Sequence, residues 1–160
     1  MTGRIILILL VLCSCTLDAQ ITFKISEDIN YADLKVLVSD DISHPDLRVL
    51  INDRIKHPDL TIRITQDIDK ANLIIANADY AEMIIRASDH ENFPDIRIMA
   101  GDSIEFPDIR IRIAPEGDVH FLVYTEKDQL PMYDLISALL PAIHDYIPRP
   151  NAKLTAIFGD

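Results

Sequence analysis

The side chains of this 160-residue chain that could do chemistry are 26 acids, 15 Lys and Arg, and five histidines. Covalent catalysis needs a nucleophile with a base in reach, and acid–base catalysis needs carboxyls whose surroundings push their pKa values apart. Neither is marked by spacing. Both cysteines, Cys13 and Cys15, fall at the extreme N-terminus, and there is no G-x-S-x-G, phosphate loop or H-E-x-x-H. Carboxylates recur so often that no pair stands out. His44 and His57 differ from the rest because they hold the same place in adjacent sequence units. With Asp40 and Asp53 they are the candidate metal ligands, the acids offering oxygens to Ca²⁺ and the imidazoles nitrogens to Zn²⁺ or Cu²⁺. Against that reading, Ca²⁺ takes roughly six to eight oxygens, and no third Zn²⁺ ligand accompanies the two histidines. Turn and surface roles account for all four. His120 is the histidine that a hydrolase cleft would use, and no cofactor is implied.

The first nineteen residues read as an export leader. Arg4 supplies a positive start, and Ile5 to Leu12 is an unbroken apolar run. That run is too short to span a bilayer, which takes roughly 20 residues. Cleavage after Ala19 leaves a mature chain from Gln20 with no cysteine, hence no disulfide. The alternative uses Leu12-Cys13-Ser14-Cys15, with Cys15 lipidated and the protein anchored. The expectation is therefore a secreted or periplasmic bacterial protein that meets the membrane only if Cys15 carries lipid. A net charge of −11 argues against nucleic acid as a partner.

These few candidates sit on a repeating unit of period thirteen. Units begin at Ala32, Pro45, Pro58, Ala71, Ala81, Pro94 and Pro107, with an incomplete copy before them from Ala19. The unit at Ala71 is three residues short. Each opens with Ala or Pro, then usually an acid. Apolar residues follow at the third, fifth and seventh places, as in Leu47, Val49 and Ile51. Period-two alternation rich in β-branched residues predicts a half-buried strand. A base is frequent at the fourth place (Lys35, Arg48, Arg97, Arg110), on the same strand face as the second-place acid. Outward ion pairs of Asp46 with Arg48 and Asp108 with Arg110 follow. The ninth-place acids or amides, such as Glu27, Asp40, Asp53, Gln66, Asp79, Asp89 and Asp102, are expected to turn the chain. The Ile two places later (Ile29, Ile42, Ile55, Ile68, Ile104) is expected to tuck into the core.

A connection of about eight residues is long for a hairpin and short for a helical crossover. The fold class expected is mostly β: tandem strand-turn repeats over residues 20–118 in two facing small sheets, two units per circuit, with one C-terminal helix. A knotted or solenoid winding and an antiparallel meander are the alternatives. Residues 119–160 add a strand over His120 to Thr125 and a helix through Met132, Leu135, Ile136, Leu139, Leu140 and Ile143. Pro131 suits its first turn, and Pro141 should end or kink it. The helix is expected to cover one end or face of the strand array, on the same domain.

The stretch Ala32-Asp33-Leu34-Lys35-Val36-Leu37-Val38-Ser39-Asp40 resembles the repeat of a bacterial family named for its knot, the septoil-knot domain. The likeness extends over about residues 20–118. It implies a small, mostly β fold threaded into a deep torus knot, and it implies no activity. The sequence departs from that pattern in its Pro starts, in His44, His57 or Phe106 before the unit start, and in having no Trp.

With a regular β surface and no catalytic constellation, the leading expectation is a non-enzymatic scaffold or interaction protein of the cell exterior or envelope. A divalent-cation-binding module using the repeat-turn acids is one alternative. A hydrolase with a cleft between repeats and C-terminal helix is another.

Overall fold

Alternation of apolar and polar residues gives each unit one strand with one greasy side, and nine such strands must share an interior. The computed structural model describes residues 20–26, 31–77 and 80–159. The expected leader with Cys13, Cys15 and Ala19, and the repeat residues Glu27, Ile29 and Asp79, lie outside the described residues. The strands are β1 (Ile21–Ile25), β2 (Leu34–Ser39), β3 (Leu47–Asn52), β4 (Leu60–Thr65), β5 (Leu73–Ile75), β6 (Met83–Ser88), β7 (Ile96–Gly101), β8 (Ile109–Ile113) and β9 (Phe121–Thr125). Helices α1 (Met132–Ala138), α2 (Leu140–Tyr146) and α3 (Ala152–Phe158) follow.

The mostly-β character with a C-terminal helix holds. The two facing sheets do not: the strands close into a single barrel in the order β1-β5-β9-β4-β8-β3-β7-β2-β6, every pair parallel. Successive strands lie two positions apart, so the chain circles the barrel twice and the second circuit fills the gaps left by the first. A circuit takes between four and five units rather than two. Closure leaves no edge strand exposed, which two small facing sheets could not achieve.

Seven residues link β2 to β3, β3 to β4 and every later strand to its successor. This spacing persists through the short unit at Ala71, where the missing residues come out of the strand: β5 has three residues. The connection cannot shrink because it must return from one end of the barrel to the other, outside, across the strand of the other circuit. The recurring Ile lies on that outer layer rather than in the core. Ile55 sits beside Leu50 and Arg110, and Ile104 lies against the outer side of Gly101. The turn out of β2, β3, β4 and β6 is made by the eighth place. Asp41 N–H donates to Ser39 Oγ, Arg54 N–H to Asn52 Oδ1, Asp67 N–H to Thr65 Oγ1 and His90 N–H to Ser88 Oγ. The ninth-place residues Asp40, Asp53, Gln66, Asp89 and Asp102 are exposed beside these turns.

Neighbouring strands are staggered so that the third place of one pairs with the fifth of the next, as Leu47 with Ile98 and Val49 with Ile109. Only β1 against the short β5 lacks the offset, pairing Ile21 with Leu73. Stagger accumulated in one sense tilts the strands and widens the barrel. About eight strands already leave an interior that side chains just fill, so nine steeply staggered strands leave room for more. That room is taken by α1 and α2. Residues 134–140 are all buried, on every side of the helix, and a helix buried all round is enclosed rather than laid on a surface. Leu135, Ile136, Leu139, Leu140 and Ile143 share one core with the inward Val36, Leu47, Ile62 and Ile111. At the start of α1, Tyr133 lies with Ser26 and Ser88, where strands end. At the end of α2, Tyr146 stacks edge-on against His120 and Phe121, where β9 begins. The helix therefore threads the lumen from one mouth to the other instead of covering an end or face.

Pro141 breaks it at Leu139, as expected of a residue with no N–H to donate. Helix α3 was not expected. Asn151 caps it, accepting from Lys153 and Leu154 N–H through its side-chain oxygen while its amide donates to Asp46 carbonyl. No helix of the described residues is long and apolar enough to cross a membrane.

Candidate binding surface

The second-place residues build one rim of the barrel. Asp46 N–H donates to Arg97 carbonyl, and Asp46 Oδ2 accepts Arg97 N–H, both at 2.8 Å. Asp108 grips Arg48 in the same way, Asp59 grips Arg110, Asp95 grips Lys35 and Asp33 grips Ile84. Asn72 does so to Leu122, and His120 to Thr61 through Nδ1 at 2.9 Å. Glu82 N–H donates to Thr22 carbonyl. Each clamp reaches from one strand to its next neighbour in the same sense around the ring. The carboxylates are thus taken up by backbone N–H groups. The expected pairs Asp46–Arg48 and Asp108–Arg110 are absent from the ion pairs of the described residues, because each carboxylate turns to the neighbouring strand. Arg110 instead approaches Asp59, at 4.0 Å.

The fourth-place side chains point outward. In barrel order β8, β3, β7 and β2 are adjacent, and they carry Arg110, Arg48, Arg97 and Lys35 at one level. Arg48 and Arg97 are exposed and have no side-chain partner among the described residues. The last place of each unit, just before the Ala or Pro, forms a second row along the rim. Entering β4, β8, β3, β7, β2 and β6, six adjacent strands, it reads His57, Phe106, His44, Phe93, Tyr31 and Tyr80. Phe106 is 86% exposed, Phe93 82%, Tyr80 75% and Tyr31 71%. A contiguous run of exposed aromatics on a protein surface marks contact with something. Two of the row are held at cost: His44 has φ 128° and Phe106 φ 52°. Such a conformation in a non-glycine residue costs about 1–3 kcal/mol and concentrates at functional positions.

Between these rows lie grooves that repeat. One, of about 370 Å³, is lined by Leu37, Ile42, Ser43, His44 and Arg97 together with Asp41, Glu91, Asn92 and Pro94. Another, of about 500 Å³, is lined by Leu50, Ile55, Lys56, His57 and Arg110. Five positions of the first correspond to the five of the second, each one repeat further along the chain. Each has a Leu, an Ile, an imidazole lip and a guanidinium, and the first adds the carboxylates of Asp41 and Glu91. A third cavity, of about 300 Å³, continues the row with Phe106, Arg110 and Arg149.

His44 and His57 are thus placed in equivalent but separate grooves. Asp40 and Asp53 are exposed at strand ends. Among the described residues no three of His, Cys, Asp or Glu come together as metal ligands. His90 lies near Asp89 and His144 near Asp145, both on the surface. His120, the residue a hydrolase cleft would use, has Nδ1 committed to the Thr61 amide.

Sequence reasoning missed one pair entirely. Glu91 occupies the place where other units carry Ile, and Arg86 the place of Leu37 and Leu50. The two meet at 2.7 Å with the Glu91 side chain buried. Burial would raise the Glu91 pKa, but the Arg86 hydrogen bond, the Phe93 amide and the Arg86 and Lys35 charges outweigh it and hold it below the usual carboxylate range. Comparison with family models, curated proteins and solved structures finds no match.

Proposed function

We propose that the protein is a non-enzymatic binding scaffold of the cell exterior or envelope, with the grooved wall of β8-β3-β7-β2 as its contact face. The observation that carries this reading is the repeated groove: one arrangement of Leu, Ile, His and Arg occurs in two successive repeats, beneath a row of exposed aromatics. A catalytic centre is a single constellation, whereas a surface used by repetition suits an extended or multivalent ligand. The test is hydrogen-exchange mapping of the chain from Gln20 in the presence of fractionated envelope material. Protection should fall on residues 41–45, 54–58, 92–97 and 105–110. Protection elsewhere, or none with any fraction, removes the reading.

The leader supports export. Mass analysis of the protein recovered from its natural host should show either a start at Gln20 or a lipid-modified Cys15; an intact Met1 start inside the cell overturns it. The likeness to the septoil-knot repeat draws support from the two-circuit winding. A septoil-knot structure built on a single circuit would end the likeness.

A further inference from the structure

We propose that the ligand of this wall is an acidic polysaccharide, a linear chain of uronate-type sugars lying along the row of grooves; this rests on the binding reading above. Four features point to that chemistry. First, two grooves pair an imidazole with a guanidinium, His57 with Arg110 and His44 with Arg97, and Phe106 and Phe93 alternate with these histidines along the rim, beside the row of Arg110, Arg48, Arg97 and Lys35 on adjacent strands. Strands are about 4.8 Å apart and each is offset from the next by two residues, about 6.6 Å, so neighbouring cations lie about 8 Å apart and the four span about 24 Å, the reach of a short oligosaccharide. Second, a hexose has an apolar face that stacks on an aromatic ring, and a uronate adds one carboxylate that a guanidinium can grip with two parallel hydrogen bonds. One aromatic and one cation per strand is the matching inventory. Third, Arg48 and Arg97 are exposed with no side-chain partner among the described residues, so the charge is available. Fourth, the φ values of His44 and Phe106 hold two neighbouring lips in place before any ligand arrives.

Charge density favours this class over a nucleic acid. Duplex DNA carries one phosphate per about 1.7 Å of axis, against one cation per strand here. The molecule as a whole, at net −11, would repel a dense polyanion.

The experiment is calorimetric titration of the chain from Gln20 with galacturonate oligomers of increasing length. Their methyl-esterified counterparts and a single-stranded oligonucleotide of equal charge are the controls. Affinity should rise with length, level off once the oligomer spans the roughly 24 Å of the four cations, and fall with added salt. R48A/R97A should weaken binding about tenfold or more. F93A should weaken it several-fold, each variant keeping the parent melting temperature. Esterified oligomers should not bind. Equal binding of esterified and acid forms, an unchanged R48A/R97A, tighter binding of the oligonucleotide, or no heat with any uronate each overturns the inference. If uronates fail while envelope fractions still protect the wall from exchange, the ligand class is wrong and the binding reading stands. If neither occurs, both fall.

Discussion

Two halves of the barrel wall follow the same winding and differ in what they place on it. From β4 through β8, β3, β7 and β2 to β6, the clamps are all made by aspartate: Asp59, Asp108, Asp46, Asp95 and Asp33. From β6 through β1, β5 and β9 back to β4, Glu82, Asn72 and His120 occupy the same place, β5 is cut to three residues, and one join loses its stagger. The ring closes in both halves. What Asp, Asn and His share at the second place is an acceptor for a neighbour's N–H, while Glu82 contributes only its own N–H. The second-place acids that the sequence pairs with the fourth-place bases are instead structural clamps. What distinguishes the regular half is carried instead by the fourth and last places, which the winding leaves free to vary.

The largest effect should be one that ignores the distinction. Leu139 is fully buried and belongs to the core that the strands of both halves share. L139A should cost about 2–5 kcal/mol, read as a shift in urea midpoint with unchanged slope. Two separate transitions would show that the halves unfold independently.

Next come the clamps. D46A in the regular half and N72A in the irregular half should each cost about 1–3 kcal/mol, because a strand N–H loses its acceptor. A large difference between them would mean that one half depends on its rim more than the other.

Arg86 and Glu91 mark the boundary between halves. E91A leaves Arg86 without this partner beneath the connection and should cost about 1–2 kcal/mol. R86L/E91I restores the Leu–Ile pairing of the neighbouring grooves and should be neutral or stabilising. The Glu91 pKa is lowered in the folded protein, so its contribution is present above its unfolded value near 4.5 and disappears as pH falls through and below it. The stability gap between the parent and E91Q should accordingly shrink between pH 6 and pH 3. A gap that widens toward acid would reverse the assignment.

Much of this was legible. Third, fifth and seventh apolar places gave the strands, the Ala71 deletion marked the odd unit, and Pro141 marked the helix break. The circuit number was not legible, because a period of thirteen is the same whether two units or more than four make a turn. Strand neighbours come from distant repeats, so Phe106 comes to lie between His57 and His44 without any sequence sign. The lumen was missed for a related reason. An apolar helix stripe predicts a covered face, and only the stagger between strands reveals that the barrel is wide enough to enclose it. Helix α3 was available to a closer reading, since Asn151 precedes Leu154, Ile157 and Phe158 at helical spacing. The Arg86–Glu91 pair was signalled too, by a carboxylate where the repeat calls for isoleucine.

The smallest effect is the most discriminating. D46N and D108N keep an oxygen where the neighbour's N–H points and remove only the charge. Asn72 already does this at the corresponding place, accepting Leu122 N–H at 3.0 Å. If geometry is what the rim supplies, each variant should lie within about 0.5 kcal/mol of the parent, and the two together should be additive, since they clamp different strands. If the carboxylate charge were instead needed to offset Arg48 and Arg97, the loss would be larger in D46N/D108N than in the same pair made on R48A/R97A. In the proposed arrangement those guanidiniums face the ligand, so removing the acids should leave stability almost unchanged and strengthen the binding of an anionic chain.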